Sequence, residues 1–219
     1  KRIPEKVQDS RIRSIRLGLL SMGTSELLLA PLRATGLRHG LLIDAVAADF
    51  GQVLHEALNP NSKFRTERFD VLHVSMTAES LGLFEGSKTP EEGIKQAVDL
   101  IYSILEGFAS NKQARILFET IAPPSFGPLG NGGMWISSSL RYQVSRVNEA
   151  IYSFAAKSHC AVLDVAALAE AVGLDTWHDQ IMWYHAKLLF SLHRIPLYCD
   201  HLCRTLSGLR GSSRKVLVL

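Results

Sequence analysis

Ser25 is the residue whose type and position best fit nucleophilic chemistry. Gly23-Thr24-Ser25 follows an apolar run of strand length, and the residues after Ser25 are a glutamate and three leucines, as at the start of a helix. The glycine permits a tight exit from a strand, and unpaired backbone N–H groups in a helical first turn can stabilise an oxyanion. Ser and Thr are also preferred helix N-caps, so a capping role for Thr24 or Ser25 is the alternative.

A histidine late in the chain is the candidate general base. His185 is the first choice and His178 the second, because a neutral imidazole accepts a serine proton near neutral pH. Asp179 lies six residues before His185, so either a loop brings the two together or the base works without an orienting carboxylate. Asp164 is another possible orienting residue, although its position favours helix N-capping.

The elements that must position these residues alternate between strand and helix. Gly36 and Gly40 are expected to end the helix that begins near Ser25. Further helical stripes follow the predicted capping box at Thr89-Pro90-Glu91-Glu92 and run from Leu140 to Phe154. Five apolar runs of strand length occur at residues 14–20, 41–47, 69–74, 114–118 and 161–165. Such runs are typical of a parallel sheet covered on both faces. We therefore predict a three-layer α/β/α sandwich with a five-stranded, mainly parallel sheet, similar to flavodoxin.

Ligands of such sheets bind beyond the carboxyl ends of the strands. The predicted site at this edge contains Ser25, Gly51, Thr77, Asn131 and His185. Asn131 lies in an Asn-Gly-Gly sequence, which also indicates a turn.

Composition excludes several classes of protein. The chain has 219 residues, 47% of them hydrophobic, and a formal net charge of +3, which fits one globular domain and gives little support to a nucleic-acid partner. No apolar run reaches the length of about 18 residues that a membrane helix needs. Three cysteines and the lack of a secretory pattern favour a cytoplasmic location.

Neither a metal nor a nucleotide cofactor is expected. The stretch from His178 to Cys203 is rich in histidine and cysteine, but it contains no Cys-x-x-Cys or His-Glu-x-x-His spacing. The glycine spacing matches neither of the common phosphate-binding motifs.

Two short blocks resemble the motifs of SGNH (GDSL-type) hydrolases. Gly23-Thr24-Ser25 is similar to their Gly-Asp-Ser block, and Phe50-Gly51-Gln52 is similar to their second, glycine-bearing block. From about Leu17 to Leu219 the chain more specifically resembles the SGNH-like N-terminal domain of FkbH-type proteins. The segments that show this are residues 28–36, 49–52, 58–60, 69–71, 122–131 and 183–187.

The resemblance implies a role in acyl transfer. FkbH-type proteins help to form glyceryl or related acyl thioesters on acyl carrier proteins, and their transfer chemistry is assigned to a following haloacid-dehalogenase-type (HAD-type) domain. The implied partners are an acyl or glyceryl substrate, an acyl carrier protein and that HAD-type domain. The expected division is an extension over residues 1–13, the SGNH-like domain over 14–211, and a linker with the first strand of the next domain over 212–219.

Two departures from an active SGNH hydrolase predict weak catalysis. Thr24 replaces the aspartate of the first block, and residues 75–79 replace the Gly-x-Asn-Asp block that contains an oxyanion-hole asparagine. Loss of one oxyanion donor costs about 3 kcal/mol of transition-state stabilisation. Asn131, Thr77, Thr24 and the Gly51 backbone are the remaining candidates for oxyanion or substrate binding.

We therefore expect a module that binds an acyl or glyceryl substrate, or the arm of a carrier protein, with weak or no hydrolysis. One alternative is an active serine esterase or acyltransferase that uses Ser25 and His185. The other is a non-catalytic interaction domain.

Overall fold

The computed structural model describes residues 12–125, 127–158 and 160–211. The predicted extension lies almost entirely outside these residues, and the predicted linker and strand at 212–219 lie wholly outside them. The strands are β1 (Arg13–Ser21), β2 (Leu41–Ala47), β3 (Val71–Ser75), β4 (Arg115–Glu119) and β5 (Ala161–Leu163). All neighbouring pairs are parallel, in the order β2-β1-β3-β4-β5. The predicted fold class is confirmed.

Nine α-helices occur in the described residues and cover both faces of the sheet. They are α1 (Glu26–Arg38), α2 (Val53–Leu58), α3 (Lys63–Thr66), α4 (Pro90–Ala109), α5 (Leu140–Lys157), α6 (Val165–Val172), α7 (Leu174–Trp177), α8 (Gln180–Ala186) and α9 (Ile195–Leu209). No helix in this part of the chain is both long and apolar enough to cross a membrane.

Two helix ends differ from the sequence-based expectation. Gly36 does not end α1 but lies inside it, where an added Cβ would come within 2.7 Å of the Ile43 side chain, so the glycine allows close packing of α1 on β2. Gly40, with φ +69°, follows the helix end. The helix after Thr89 begins at Pro90 as predicted, but the Thr89 side chain makes no capping hydrogen bond, so the predicted capping box is wrong.

The two faces of the sheet bury separate cores. One core lies under α4 and α5 and includes Leu72, Val74 and Phe118. The other lies under α1 and α9 and includes Leu19 and Leu117. Because side chains alternate along a strand, neighbouring residues of β3 and β4 serve different cores. The carboxyl ends of all five strands lie at one edge, where the candidate site is expected.

Candidate functional site

Ser25 lies where the chain passes from β1 into α1. It occupies the N-cap position of α1 and is 6% exposed, but its side chain makes no capping hydrogen bond. The capping role considered for Ser25 is therefore limited to its backbone, whose carbonyl oxygen accepts from the N–H of Leu28 at 3.0 Å. Among the described residues this hydroxyl has no hydrogen-bond partner, and it lies at the positive end of a 13-residue helix.

The loop before Ser25 is held by the end of α8. Thr24 donates twice: its hydroxyl donates to the carbonyl oxygen of Ala186 at 2.6 Å, and its N–H donates to that of Lys187 at 2.9 Å. A Cβ added to Gly23 would come within 2.5 Å of the Leu189 side chain, so only glycine fits between the two segments. Thr24 therefore attaches the loop to the end of α8 by hydrogen bonds and does not cap α1.

The loops after β2 and β3 lie on either side of the β1 end, because these strands flank β1 in the sheet. Gly51 has φ +73°, a conformation that favours glycine, and lies just before α2. Thr77 and Ser80 form a closed set of hydrogen bonds in which each backbone N–H donates to the other residue's hydroxyl at 3.0 Å. The Ser80 hydroxyl donates to the Thr77 carbonyl oxygen at 2.8 Å.

Asn131 belongs to the loop after β4. It is exposed and lies in a short 3-10 helix, Gly130–Met134. The turn predicted from Asn-Gly-Gly is present as this 3-10 helix.

The candidate base and its orienting carboxylate lie on α8 without touching one another. His185 is exposed in the last turn, whereas Asp179 caps the helix by accepting from the N–H of Met182 at 3.0 Å. Within the described residues no hydrogen bond joins Ser25 to His185 or His185 to Asp179. The structure brings the backbone of α8 against the Ser25 loop, and the Ser25–His185 pair stays a prediction.

His178, the second candidate base, is held in place by a hydrogen bond to the backbone. Its Nε2 lies 2.7 Å from the carbonyl oxygen of Pro123, to which it donates, and its ring is half-buried. This bond joins the segment between α7 and α8 to the loop after β4.

Asp164 caps α6, as its position in the sequence favoured. Its Oδ1 accepts from the N–H of Ala167 and from the hydroxyl of Thr120, both at 3.1 Å. Partial burial of its hydroxyl, together with the hydrogen bond to and the charge of Asp164, raises the pKa of Tyr152 to about 12, although the side chain as a whole is exposed. Asp164 therefore has a structural role.

A comparison with known protein families identifies the family of this chain. The model of the family described as FkbH, N-terminal domain, matches residues 16–206. The chain belongs to the FkbH N-terminal domain family. No curated protein sequence matches it.

Solved structures show the same fold. The N-terminal part of the protein BF1531 from Bacteroides fragilis, described as containing a phosphatase domain complexed with Mg, matches with a TM-score of 0.79 and 15% identity. The match covers 91% of this chain and 53% of that one, so this chain spans about half the length of that protein.

Two esterases are more distant neighbours. The acetyl xylan esterase AlAXEase matches with a TM-score of 0.53 and 11% identity, over 88% of this chain and 100% of its own. Axe2, an acetylxylan esterase from Geobacillus stearothermophilus, matches with a TM-score of 0.52 and 11% identity, over 94% of this chain and 97% of its own. Both matches show that these esterases share the fold of this chain.

The sequence analysis did not predict a buried polar cluster that is present in this FkbH-type domain. His73 on β3 and Glu119 on β4 are 2% and 4% exposed, and His73 Nε2 lies 2.9 Å from Glu119 Oε1. The hydroxyl of Tyr198 on α9 donates to the same oxygen. The sequence signal for this cluster was the presence of a histidine and a glutamate at inward-facing positions of strands that are otherwise apolar.

Two serines extend this cluster toward the Ser25 loop. Ser21 and Ser75 are register partners at the ends of β1 and β3. Ser21 Oγ accepts from the N–H of Gly23 at 2.9 Å, and the carbonyl oxygen of Ser75 accepts from the N–H of Met22 at 3.0 Å. The Ser75 hydroxyl is fully enclosed and has no partner among the described residues.

A cavity of about 290 Å³ opens at the same edge of the FkbH-type domain, between α5 and α6. Ser145, Tyr152 and Glu170 contribute to its lining, and Ser25 does not. In the described part of the chain, no three His, Cys, Asp or Glu side chains are grouped so that they could hold a metal ion.

Proposed function

We propose that this FkbH-type domain binds an acyl or glyceryl group at Ser25 and hydrolyses it weakly or not at all. The observation that supports this most directly is the Ser25 hydroxyl, which makes no capping bond although Ser25 is the N-cap residue of α1 and is 6% exposed. Serine at an N-cap normally uses its hydroxyl for the helix. A serine hydroxyl that is free of this task is suited to react with a substrate.

The proposed chemistry begins with attack of the Ser25 oxygen on the acyl carbonyl carbon. The carbonyl π electrons move to the oxygen, where backbone N–H groups of the first turn of α1 would stabilise the developing charge. The serine proton passes to a histidine, with His185 as the proposed base. Collapse of the adduct then expels the leaving group and leaves an acyl-serine.

Slow turnover is expected because the base is poorly arranged. His185 makes no hydrogen bond with Ser25 in the described structure, and Asp179 is committed to capping α8. The asparagine donor of the third SGNH block is also absent. A working serine triad needs nucleophile, base and oriented carboxylate together.

Labelling by a fluorophosphonate probe, which forms a covalent bond to an activated serine and releases fluoride, tests this proposal. We expect labelling of the wild type, none of Ser25→Ala, and full labelling of the control Ser145→Ala, which removes a hydroxyl from the cavity between α5 and α6. Hydrolysis of p-nitrophenyl acetate should be near background. Equal labelling of Ser25→Ala would refute the proposal, and rapid ester turnover lost in Ser25→Ala would favour the esterase alternative.

We also propose that an acyl carrier protein presents the acyl group and that a HAD-type domain follows this one. The neighbouring structure from Bacteroides fragilis, about half of which this chain spans, contains a phosphatase domain. Residues 180–199 contain no Asp or Glu and include Lys187 and Arg194, while Ile181 and Tyr184 are 66% and 75% exposed. A cationic, partly apolar surface beside the Ser25 loop suits an acidic carrier protein.

Titration of a protein that includes the following domain with an isotopically labelled carrier protein tests this partner. We expect chemical-shift changes at low salt that weaken at high salt, because exposed charges are screened. Lys187→Glu should weaken binding, whereas Lys95→Glu on α4 should not. Absence of any shift change at low salt would refute the carrier-protein proposal.

A further inference from the structure

One residue, Thr24, ties the loop that carries Ser25 to the end of α8. The Thr24 hydroxyl donates to the carbonyl oxygen of Ala186 at 2.6 Å, and the Thr24 N–H donates to that of Lys187 at 2.9 Å. Thr24 directly precedes Ser25, and Ala186 directly follows His185. The bond between Thr24 and Ala186 therefore joins the chain neighbours of the proposed nucleophile and of the proposed base.

The helix α8 depends on such end contacts because its own residues do not belong to the core. None of the residues Gln180–Ala186 is buried, and neither of the two cores in the described part of the chain includes any of them. Ile181 and Tyr184 are 66% and 75% exposed. A segment with few buried apolar contacts is easily displaced. The position of its last turn, which bears His185, therefore depends on the hydrogen bonds at its end.

The backbone at the end of α8 is held in a conformation that directs two carbonyl groups at Thr24. Lys187 has φ +50° and is the one non-glycine residue with a positive φ in the described part of the chain. A left-handed residue after a helix is usually glycine, because a Cβ disfavours this conformation. Lys187 keeps it while its N–H donates to the carbonyl oxygen of Trp183 at 3.0 Å and its own carbonyl oxygen accepts from Thr24. Such strain persists only where surrounding contacts fix it.

The loop and the end of α8 are also in close contact at Gly23. A Cβ added to Gly23 would come within 2.5 Å of the Leu189 side chain and within 2.9 Å of the Lys187 carbonyl oxygen. The two segments lie too close for any side chain between them. A shift of the end of α8 would therefore be transmitted to the Ser25 loop.

The bond to Ala186 requires a hydrogen-bond donor at position 24. A carbonyl oxygen only accepts, and the Thr24 hydroxyl supplies the proton. The Gly-Asp-Ser block that Gly23-Thr24-Ser25 resembles has aspartate at this position, and an ionised carboxylate could only accept. It would face the Ala186 carbonyl oxygen with no proton to share. Threonine thus fits the arrangement of α8 in this chain, whereas aspartate does not.

We propose that Thr24 is a positioning residue for the Ser25 site, whose hydrogen bond to Ala186 holds the last turn of α8, with His185, in the place from which this histidine serves Ser25. This inference rests on the proposed reaction at Ser25. Thr24 acts through α8 and takes no part in the bonds that form or break.

The rate of fluorophosphonate labelling of Ser25 tests the inference. Thr24→Val keeps the shape of the side chain but removes the donor, and labelling should slow about three- to tenfold, the effect of one hydrogen bond. Thr24→Ser keeps the donor and should be labelled within about twofold of the wild-type rate. Thr24→Asp should slow labelling at least as much as Thr24→Val, because its carboxylate cannot donate.

The matched control is Thr205→Val on α9. Thr205 is also half-buried, and its hydroxyl also donates to a backbone carbonyl oxygen, that of His201 at 3.1 Å. Loss of this bond should leave the labelling rate unchanged, because it does not involve α8 or the Ser25 loop.

Two further measurements separate positioning from a general loss of stability. In a His185→Ala background, Thr24→Val should slow labelling no further, because the effects of residues that act through one another are not additive. Hydrogen–deuterium exchange of the peptide that contains α8 should be faster in Thr24→Val than in the wild type and unchanged in Thr205→Val.

Each outcome decides a different statement. The inference would be refuted, with Ser25 still the nucleophile, by an unchanged rate in Thr24→Val, by Thr24→Ser as slow as Thr24→Val, or by His185→Ala labelled at the wild-type rate. A wild type that is not labelled would refute the proposed function and this inference with it. If circular dichroism shows that Thr24→Val does not fold, Thr24→Ala removes the same hydroxyl and should slow labelling similarly; no slowing would refute the inference.

Discussion

The two faces of the sheet differ most where the strands end. On the face under α4 and α5, the inward residues of β3 and β4 are apolar to the last position, as Val74 and Phe118 show. On the opposite face Leu117 is followed two residues later by Glu119, and Val71 by His73. A single strand thus contributes apolar side chains to one core and buried polar side chains to the opposite face.

Replacement of Phe118 by alanine should have the largest effect. Phe118 is fully buried on the apolar face, and loss of a buried phenylalanine costs about 3 to 5 kcal/mol through lost transfer energy and the remaining cavity. Urea denaturation followed by circular dichroism measures this difference. A loss below about 1 kcal/mol would mean that the apolar face is not the main source of stability.

Tyr198→Phe should have a smaller effect on the polar face. It removes a hydrogen bond to a charged group while keeping the ring, so we expect a loss of about 1.5 to 3 kcal/mol in the free energy of unfolding. Tyr152→Phe is the matched control, because Tyr152 is 43% exposed, and should cost less than about 1 kcal/mol. Equal losses in the two variants would show that the buried cluster adds no stability of its own.

Asp200→Asn should reduce stability by about 1 kcal/mol at pH 7, and less in acid. A hydrogen bond from His39 at 2.8 Å, followed by the charges of Arg204 and Arg38, holds the pKa of Asp200 below its usual value. The folded value lies below the unfolded one, so this stability is present above about pH 4 and is lost as the pH falls through the folded value. Denaturation of both proteins at pH 7 and in acid measures the difference. A gap between them that widens in acid would contradict this sign.

The smallest expected effect concerns the cysteines, which should react slowly with a thiol reagent while the protein is folded. Burial raises the pKa of Cys199 and Cys203 to about 12 and that of Cys160 to about 11, so little thiolate forms at pH 8. Ellman's reagent should react at least about a hundredfold faster in urea than in buffer. Among folded thiols the half-buried Cys160 should react first, and prior reaction of Cys199 would contradict the packing of α9.

Most of the fold could be predicted from the sequence because apolar runs of strand length alternate with helical stripes. The run at residues 41–47 coincides with β2, and the other predicted strands differ from the structure by one or two residues at their ends. Gly36 and Thr89 were misassigned for a shared reason. Glycine spacing and capping patterns describe local preference, whereas tight packing on Ile43 and the actual side-chain orientation at Thr89 depend on tertiary structure.

The site was only partly predictable. Ser25 could be found because its signals are local: a strand, a glycine and the start of a helix. His73, Glu119 and Tyr198 are separated by 46 and 79 residues along the chain, and nothing local shows that they meet. Their shared position on one face follows only from the order of the strands and the docking of α9.

The hydrogen bond from Thr24 to Ala186 has a consequence for the time course of folding. It spans 162 residues, so the loop before Ser25 cannot take its final form until α8 has docked near the end of the chain. Contacts between such distant residues form late, because a large loop must close first. During synthesis Ser25 therefore emerges well before α8, and the loop that precedes it takes its final form only after α8 has been made.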